Sequence, residues 1–447
     1  MEKYLQTGCG SIRGTADTET GVCAYLGIRY GSAPRWRYPV LVDGWEGVYD
    51  ATHYGPCCIQ QRTYMPEENS GRVFYYHEFR EGIDYTYDEQ CLYLNIWTPA
   101  NGCGAPVLVY LHGGAFLEGS AQEKCFDGSA LAAQGMVVVT VNFRLGIFGY
   151  AAFPELEARD GHAGNYGMYD AYAALEWVQK HIADFGGDPA NVTLMGQSAG
   201  ARMVQLLCLS PKVKGFVHRA VMCSGGGQVR LFGRQRKTQE VYPLWENVRK
   251  VSNASGFAQL ESMPAPQLYA AFAYCIRQDF GLMQAACCPT ADGFLLPLPI
   301  EEAVPGRKWL DIPYMIGSTG QDLMAGDLCM TAQNWLCQEE QPCYRYHFSR
   351  RLPGDGAGAF HSADLWYWFG SWKNSWRPFT DWDRELSIAM VRYLTAFMAK
   401  GSPELKDLPA WPATGLLQNS EMLCLGEKDI RMETVNLAQF PEEGGLQ

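Results

Sequence analysis

Short apolar runs, separated by turn residues and alternating with stretches of helical period, give the first reading of this chain. Pro106-Val-Leu-Val-Tyr-Leu111 and Met136-Val-Val-Val-Thr-Val-Asn142 are continuous apolar runs, the second rich in β-branched residues. That pattern predicts central parallel strands covered on both faces. Val192–Met195, Arg219–Gly225 and Asp311–Ser318 read as further strands, and Tyr344-Arg-Tyr-His-Phe348 alternates like one. Between them, Gly164–Asp170 opens a helix with apolar positions Met168, Tyr172, Leu175, Val178 and Ile182, which stops before Gly186-Gly187. Arg202–Leu209 reads as a helix ended by Pro211, and Arg384–Lys400 as one ended by Gly401-Ser-Pro403. Residues 9–50 break into short strand-like pieces. Residues 233–297 read as helices over the sheet edge, with Ala291-Asp-Gly293 as a turn. Strands alternating with helices predict an α/β fold with a mostly parallel, doubly wound central sheet and helices on both faces.

Composition narrows the function classes. The chain has 447 residues, and 36 Lys+Arg against 48 Asp+Glu give a net charge of −12. That balance argues against a nucleic-acid or anionic-membrane surface. No linker, charge run, low-complexity tract or repeat divides the chain, so one domain over 1–447 is expected. Met1–Gly8 carries no apolar signal-like run, and no apolar stretch approaches membrane-spanning length. The 16 cysteines are scattered, and several lie in apolar runs. Buried thiols in a reducing cytoplasm are therefore expected, and the sequons at Asn191 and Asn253 carry no weight. Cys329, Cys337, Cys343 and His347 are metal-ligating types, but none forms a C-x-x-C pair; no metal and no cofactor are expected.

One turn changes the picture. Gly196-Gln-Ser-Ala-Gly200 lies directly between the Val192–Met195 strand and the Arg202–Leu209 helix. A G-x-S-x-G between strand and helix is a nucleophile elbow, which holds its serine, here Ser198, on a strained turn with the hydroxyl exposed. Upstream, His112-Gly-Gly-Ala-Phe116 follows a buried strand. A glycine-rich loop there supplies backbone N–H groups to an oxyanion without a side chain in the way.

The full run Phe185–Gly200 resembles the active-site serine signature of the type-B carboxylesterase/lipase family, the cholinesterase-like branch of the α/β-hydrolases. Asp88–Pro99 resembles the family's E-D-C-L-Y-L-N signature, with Gln90 in the place of Asp. Gly27–Pro34 resembles G-I-P-Y-A-x-P-P, with Arg29 and Gly31 replacing proline and alanine. Asn142–Gly149 matches N-Y-R-x-G-x-x-G, and the likeness extends from about Gly10 to Pro403. It implies a small N-terminal antiparallel sheet and oxyanion-hole amides from Gly114, Ala115 and Ala199. It also implies a Cys58–Cys91 disulfide, and a Gln60–Gln90 loop lining one side of the gorge. Arg37–Glu89 and Arg144–Asp170 are expected ion pairs joining matched motifs.

The family order places an acid and then a histidine after the serine. His361, in Gly358-Ala-Phe-His-Ser-Ala-Asp364, matches G-x-x-H-G-x-E and is the expected base; His112 is expected to be structural. The acid turn corresponds to Gly317–Leu323, with Asp322 in the Glu place and Asp327 and Asp364 as alternatives. Between that turn and His361 the chain is shorter than its relatives, and Leu365–Trp372 with Trp376, Phe379 and Trp382 is densely aromatic. A wide, partly open site is expected, with Phe116, Trp366 and Trp372 as pocket residues and bulky or aromatic esters as substrates. The resulting expectation is a serine carboxylic-ester hydrolase using Ser198, His361 and Asp322, acting as a monomer or homodimer. Amidase or thioesterase chemistry and a non-catalytic binding module are the alternatives.

Overall fold

The apolar runs fold as strands of one sheet. The computed structural model describes residues 1–68, 71–226, 235–303, 306, 308–322, 342–413 and 421–434. Its strands are β1 (Glu2–Thr7), β2 (Gly10–Ala16), β3 (Val22–Arg29), β4 (Gly31–Ser32), β5 (Val40–Leu41), β6 (Val48–Asp50), β7 (Tyr93–Pro99), β8 (Ala105–Leu111), β9 (Val137–Val141), β10 (Gly187–Gln197), β11 (Arg219–Cys223), β12 (Tyr314–Thr319), β13 (Cys343–Phe348), β14 (Glu421–Leu425) and β15 (Ile430–Thr434). Thirteen of them run in the order β1-β2-β3-β7-β9-β8-β10-β11-β12-β13-β14-β15, with β6 beside β2. From β9 to β14 every neighbouring pair is parallel. The N-terminal strands β1, β2 and β3 are antiparallel and continue the main sheet at its edge, while β4 and β5 form a small antiparallel pair of their own.

The parallel strands feed two cores. Val107, Val109 and Leu111 of β8 join Val192 and Leu194 of β10 on one face, against the helices Tyr166–His181 and Ala199–Cys208. Leu108 and Tyr110 join Met195 and Val221 on the other, against Leu365–Trp368 and Asp381–Lys400. Successive side chains point to opposite faces, so a strand covered twice must be apolar throughout. Asp381–Lys400 starts before the expected Arg384 because Thr380 caps it: its hydroxyl accepts from Asp383 N–H, and the Asp383 carboxylate accepts from Thr380 N–H at 2.8 Å.

Two of the departures from the family pattern, Arg29 and Gln90, meet each other. Arg29 Nη2 donates to Gln90 Oε1 at 2.9 Å, and Gln90 Nε2 donates to the Ala33 carbonyl at 2.9 Å. Of the two expected ion pairs, Arg144–Asp170 is bidentate and buried, with N···O distances of 2.7 and 2.8 Å. The Arg37–Glu89 pair is not formed. Trp36 takes φ 50° and buries its indole, donating to Ile147 O at 2.8 Å. That turn sets Arg35 against Glu89 (Nε to Oε2, 2.8 Å) and leaves Arg37 outside, 3.6 Å from Asp160. The Cys58–Cys91 disulfide is likewise not formed. Both are free, buried thiols, and the Cys58 sulfur accepts the Leu145 N–H at 3.2 Å. A hydrogen bond with Cys58 and then burial push the Cys91 thiol well up.

Candidate active site

Backbone sterics build the serine side. Ser198 sits between β10 and the Ala199–Cys208 helix at φ 55°, ψ −120°, a left-handed φ that costs a non-glycine residue about 1–3 kcal/mol. The chain can turn this sharply because its neighbours lack side chains. A Cβ on Gly200 would lie 2.0 Å from the Leu111 carbonyl oxygen, and one on Gly196 would lie 2.4 Å from Gly200. Ser198 N–H donates to Cys223 O at 2.9 Å, which pins the turn to β11.

The loop after β8 wraps over the serine in the same manner. A Cβ on Gly113 would meet the Ser198 Cβ at 3.1 Å. Ala115 and Phe116 both take left-handed φ, 54° and 63°. Among the described residues nothing accepts from the backbone N–H groups of Gly114, Ala115 or Ala199. His112 lies flat on Phe143, with ring centroids 4.4 Å apart, and its Nδ1 is 2.7 Å from Gly113 O. Burial lowers its pKa to about 3, so it is neutral and packs the loop.

Side chains build the opposite side. His361 Nδ1 lies 2.7 Å from Asp322 Oδ1, and Thr319 N–H donates to Asp322 Oδ2 at 3.1 Å. Gln321 and Phe360 form an isolated bridge, with Gln321 N–H donating to Ala359 O at 2.9 Å. This tie brings the turn after β12 to the His361 loop. Gly358 takes φ 74°, a left-handed conformation that favours glycine, and the Gln321 side chain packs against it. Burial resists a charge on His361, but the charge and hydrogen bond of Asp322 outweigh it and raise the imidazole pKa above its ordinary value. Burial likewise opposes ionisation of Asp322; His361 and the donors around the carboxylate outweigh it and lower its pKa. Asp364 is committed elsewhere: it accepts from Tyr346 OH at 2.7 Å and Trp368 Nε1 at 3.2 Å, and burial pushes its carboxyl up to about 6. Asp327, Cys329 and Cys337 lie outside the described residues, among which no His, Cys, Asp or Glu cluster is disposed to hold a metal ion.

Ser198 and His361 line one cavity of about 240 Å³, with Gly114, Ala115 and Ala199 on its wall. Nine described non-glycine residues have positive φ, and six of them (Tyr64, Ala115, Phe116, Ser198, Ser224 and Ser362) line this cavity, so backbone strain concentrates here. Of the expected pocket aromatics, Phe116 lines it. Trp366 and Trp372 do not. Trp366 is fully buried, with Nε1 donating to Glu78 Oε2 at 2.7 Å, and Trp372 packs beside Lys373 and Arg384. The aromatic wall comes instead from Tyr64, Tyr75, Phe79 and Phe126, and Tyr75 OH donates to His361 O at 3.1 Å. The Tyr and Phe content of the Gln60–Gln90 loop is the sequence signal for three of these; nothing local marks Phe126. Nothing in the sequence marks Gln197, one residue before the serine, yet its Nε2 lies 3.1 Å from His361 Nε2. The short Leu323–Phe360 connection, on which a thin wall was expected, is largely outside the described residues.

A mostly parallel sheet carrying a serine elbow at the end of β10, with a histidine–carboxylate pair after later strands, defines an α/β-hydrolase fold. The chain belongs to the Carboxylesterase family, whose model matches residues 1–328 and 322–440. It is 34% identical to para-nitrobenzyl esterase of Bacillus subtilis (strain 168) over 328 residues, 71% of this chain and 62% of that protein. It is 35% identical to carboxylesterase 3 of Homo sapiens over 334 residues, 70% of this chain and 54% of that protein. The matched stretch thus spans less than two thirds of either relative. A solved PNB esterase superposes with TM-score 0.83 at 26% identity, covering 97% of both chains. No helix among the described residues is long and apolar enough to cross a membrane.

Proposed function

We propose that this protein is a serine hydrolase of carboxylic esters, with Ser198 as nucleophile, His361 as general base and Asp322 as the orienting acid. One observation carries the reading. A serine held at left-handed φ shares a cavity with a histidine whose far nitrogen is 2.7 Å from a buried carboxylate. An Asp322 carboxylate at Nδ1 and a Gln197 amide at Nε2 suit the neutral imidazole protonated at Nδ1, the form a general base requires. As substrate binds, Nε2 exchanges Gln197 for the Ser198 hydroxyl and takes its proton while the oxygen attacks the ester carbonyl. The N–H groups of Gly114, Ala115 and Ala199, which have no partner among the described residues, donate to the developing oxyanion. His361 then protonates the leaving alcohol, and water releases the acid from the acyl-enzyme by the same steps in reverse roles.

The aromatic wall of Tyr64, Tyr75, Phe79 and Phe116 supports a bulky or aromatic group on the substrate. The chain acts as one α/β unit, and these steps call for neither metal nor cofactor. Every group named comes from a single chain, which fits a monomer or a pair of independent copies. The free, buried thiols fit a reducing, cytoplasmic setting. Fluorophosphonate labelling is the test: the reagent should modify Ser198, and Ser198→Ala should lose both labelling and at least about 10⁴-fold in kcat. Labelling that persists in the alanine variant would refute the nucleophile.

A further inference from the structure

Ser198 and His361 share the cavity without touching. Among the described residues no hydrogen bond joins the Ser198 hydroxyl to His361, although the imidazole is anchored to Asp322. Its Nε2 faces the Gln197 side-chain amide instead, at 3.1 Å. Gln197 is the last residue of β10, in register with Cys223 of β11, and only 3% of it is exposed. Its amide oxygen lies against Gly113 of the loop after β8, 2.5 Å from the place a Cβ would take there. One buried amide thus spans from the oxyanion loop to the histidine, delivered by a strand end rather than by a loop.

Hydrogen-bond chemistry orients that amide. A carboxylate at Nδ1 favours the ring protonated there, whose Nε2 is a lone pair; the NH2 group of Gln197 suits that lone pair and its oxygen does not. The same lone pair must take the Ser198 proton. We propose that Gln197 is a positioning residue for His361: in the free enzyme its amide caps Nε2 and holds the ring off the serine, and the cap is released when substrate seats Ser198 against the base. The proposal rests on the esterase reading and makes the exchange at Nε2 the work of one residue outside the triad.

The cap has a pH signature of fixed sign. A donor to Nε2 stabilises the neutral ring and loses its acceptor once that nitrogen is protonated, so Gln197 opposes the proton. Burial acts in the same direction, as does the charge of Arg72, just before the Phe74–Phe79 helix; Asp322, after β12, and Asp364, in the His361 loop, favour the proton. Tyr75, on that helix, donates to the His361 carbonyl at 3.1 Å.

Gln197→Met removes the donor at similar length, and Gln197→Glu replaces it with an acceptor. The acid limb of kcat/KM reports the free enzyme. It should move to higher pH by about half to one unit in Gln197→Met, and further in Gln197→Glu, whose carboxylate favours the protonated ring. The limb of kcat, which reports the substrate-bound enzyme, should move less in Gln197→Met, because the cap has already left there. NMR titration of the His361 ring in Ser198→Ala protein, with and without Gln197→Met, should give the same upward shift with no turnover needed. A limb and a titration that stay in place, with rates lowered evenly at every pH, mean that Gln197 only packs, and overturn the proposal. A shift to lower pH in Gln197→Met overturns it as well, because the amide would then be accepting from Nε2–H. Equal shifts in kcat and kcat/KM overturn the release on substrate binding. A wild-type Ser198 that resists fluorophosphonate, with the NMR shift present, overturns the esterase reading and leaves the cap on His361 standing.

Discussion

The two sides of the cavity are held by different physics. On the Ser198 side, position is set by backbone sterics: Gly196 and Gly200 let main chains approach where any Cβ would collide, and three consecutive hydrogen-bonded parallel strands, β8, β10 and β11, stand beneath them. On the His361 side, position is set by side-chain charges drawn from distant parts of the chain. Asp322 holds the imidazole. Beside them Glu78, buried at the end of the Phe74–Phe79 helix, accepts from Trp366 Nε1 at 2.7 Å, Trp376 Nε1 at 3.0 Å and Arg377 Nε. Arg377 in turn holds Asp355 at 2.8 Å. A sterically fixed turn has few alternatives once folded. An ionic network instead titrates and fails when one partner is lost.

The largest effect should therefore come from the His361 side at constant shape. Asp322→Asn should leave the cavity intact and cost about 10⁴-fold in kcat by favouring the wrong imidazole tautomer. Its pH profile gives an independent reading. On the proposed mechanism His361 works only when neutral, so activity should fall as pH drops through its pKa, which lies above the ordinary value near 6.5. Burial pulls that pKa down and Asp322 holds it up, so removing the aspartate charge should move the acid limb of kcat/KM to lower pH. An acid limb that stays in place would mean that Asp322 does not set the proton affinity of the base.

The same contrast explains what could be read in the sequence. The strands are legible because continuous apolar runs have one meaning when both sheet faces are covered, and the elbow because its two glycines and serine stand within five residues between a strand and a helix. Asp322 is marked in the sequence only by its place in the turn that resembles the family's acid turn; its contact with His361 spans 39 residues. Trp366 was misassigned to the pocket because its direction is decided by Glu78, 288 residues upstream. Arg37 was misassigned because a single left-handed φ at Trp36 exchanged the roles of two arginines. Local pattern specifies which residues are apolar, not which long-range polar partner claims a side chain.

Glu78→Gln probes the network next. Burial raises the carboxyl pKa of Glu78, while the Arg377 charge and the three donors favour its ionised form. Glu78→Gln removes one of the two counter-charges of the buried Arg377 guanidinium, leaving Asp355, and should cost about 1–3 kcal/mol in chemical denaturation. Gly200→Ala, which adds only a methyl group on the opposite side, should cost about 1–3 kcal/mol by overpacking against the Leu111 carbonyl. A Glu78→Gln protein as stable as wild type would show that the His361 side does not depend on this network.

The smallest expected effect separates wall from rim. Tyr75 lines the cavity and donates its hydroxyl to the His361 carbonyl, whereas Trp372 lies outside with its ring against Lys373 and Arg384. Kinetics on a bulky aromatic acyl ester and an acetate of one shared alcohol compare them directly, because specificity is the ratio of the two kcat/KM values. Tyr75→Leu should shift that ratio by roughly fivefold, since the substrate loses a flat aromatic surface worth about 1 kcal/mol. Trp372→Ala should leave the ratio within about twofold, because a ring outside the wall contacts neither ester. The ratio excludes general damage, which scales both substrates equally. If Trp372→Ala moves the ratio and Tyr75→Leu does not, the aromatic selectivity belongs to the segment after His361, and the division of the site into a helix-borne wall and a packed rim is wrong.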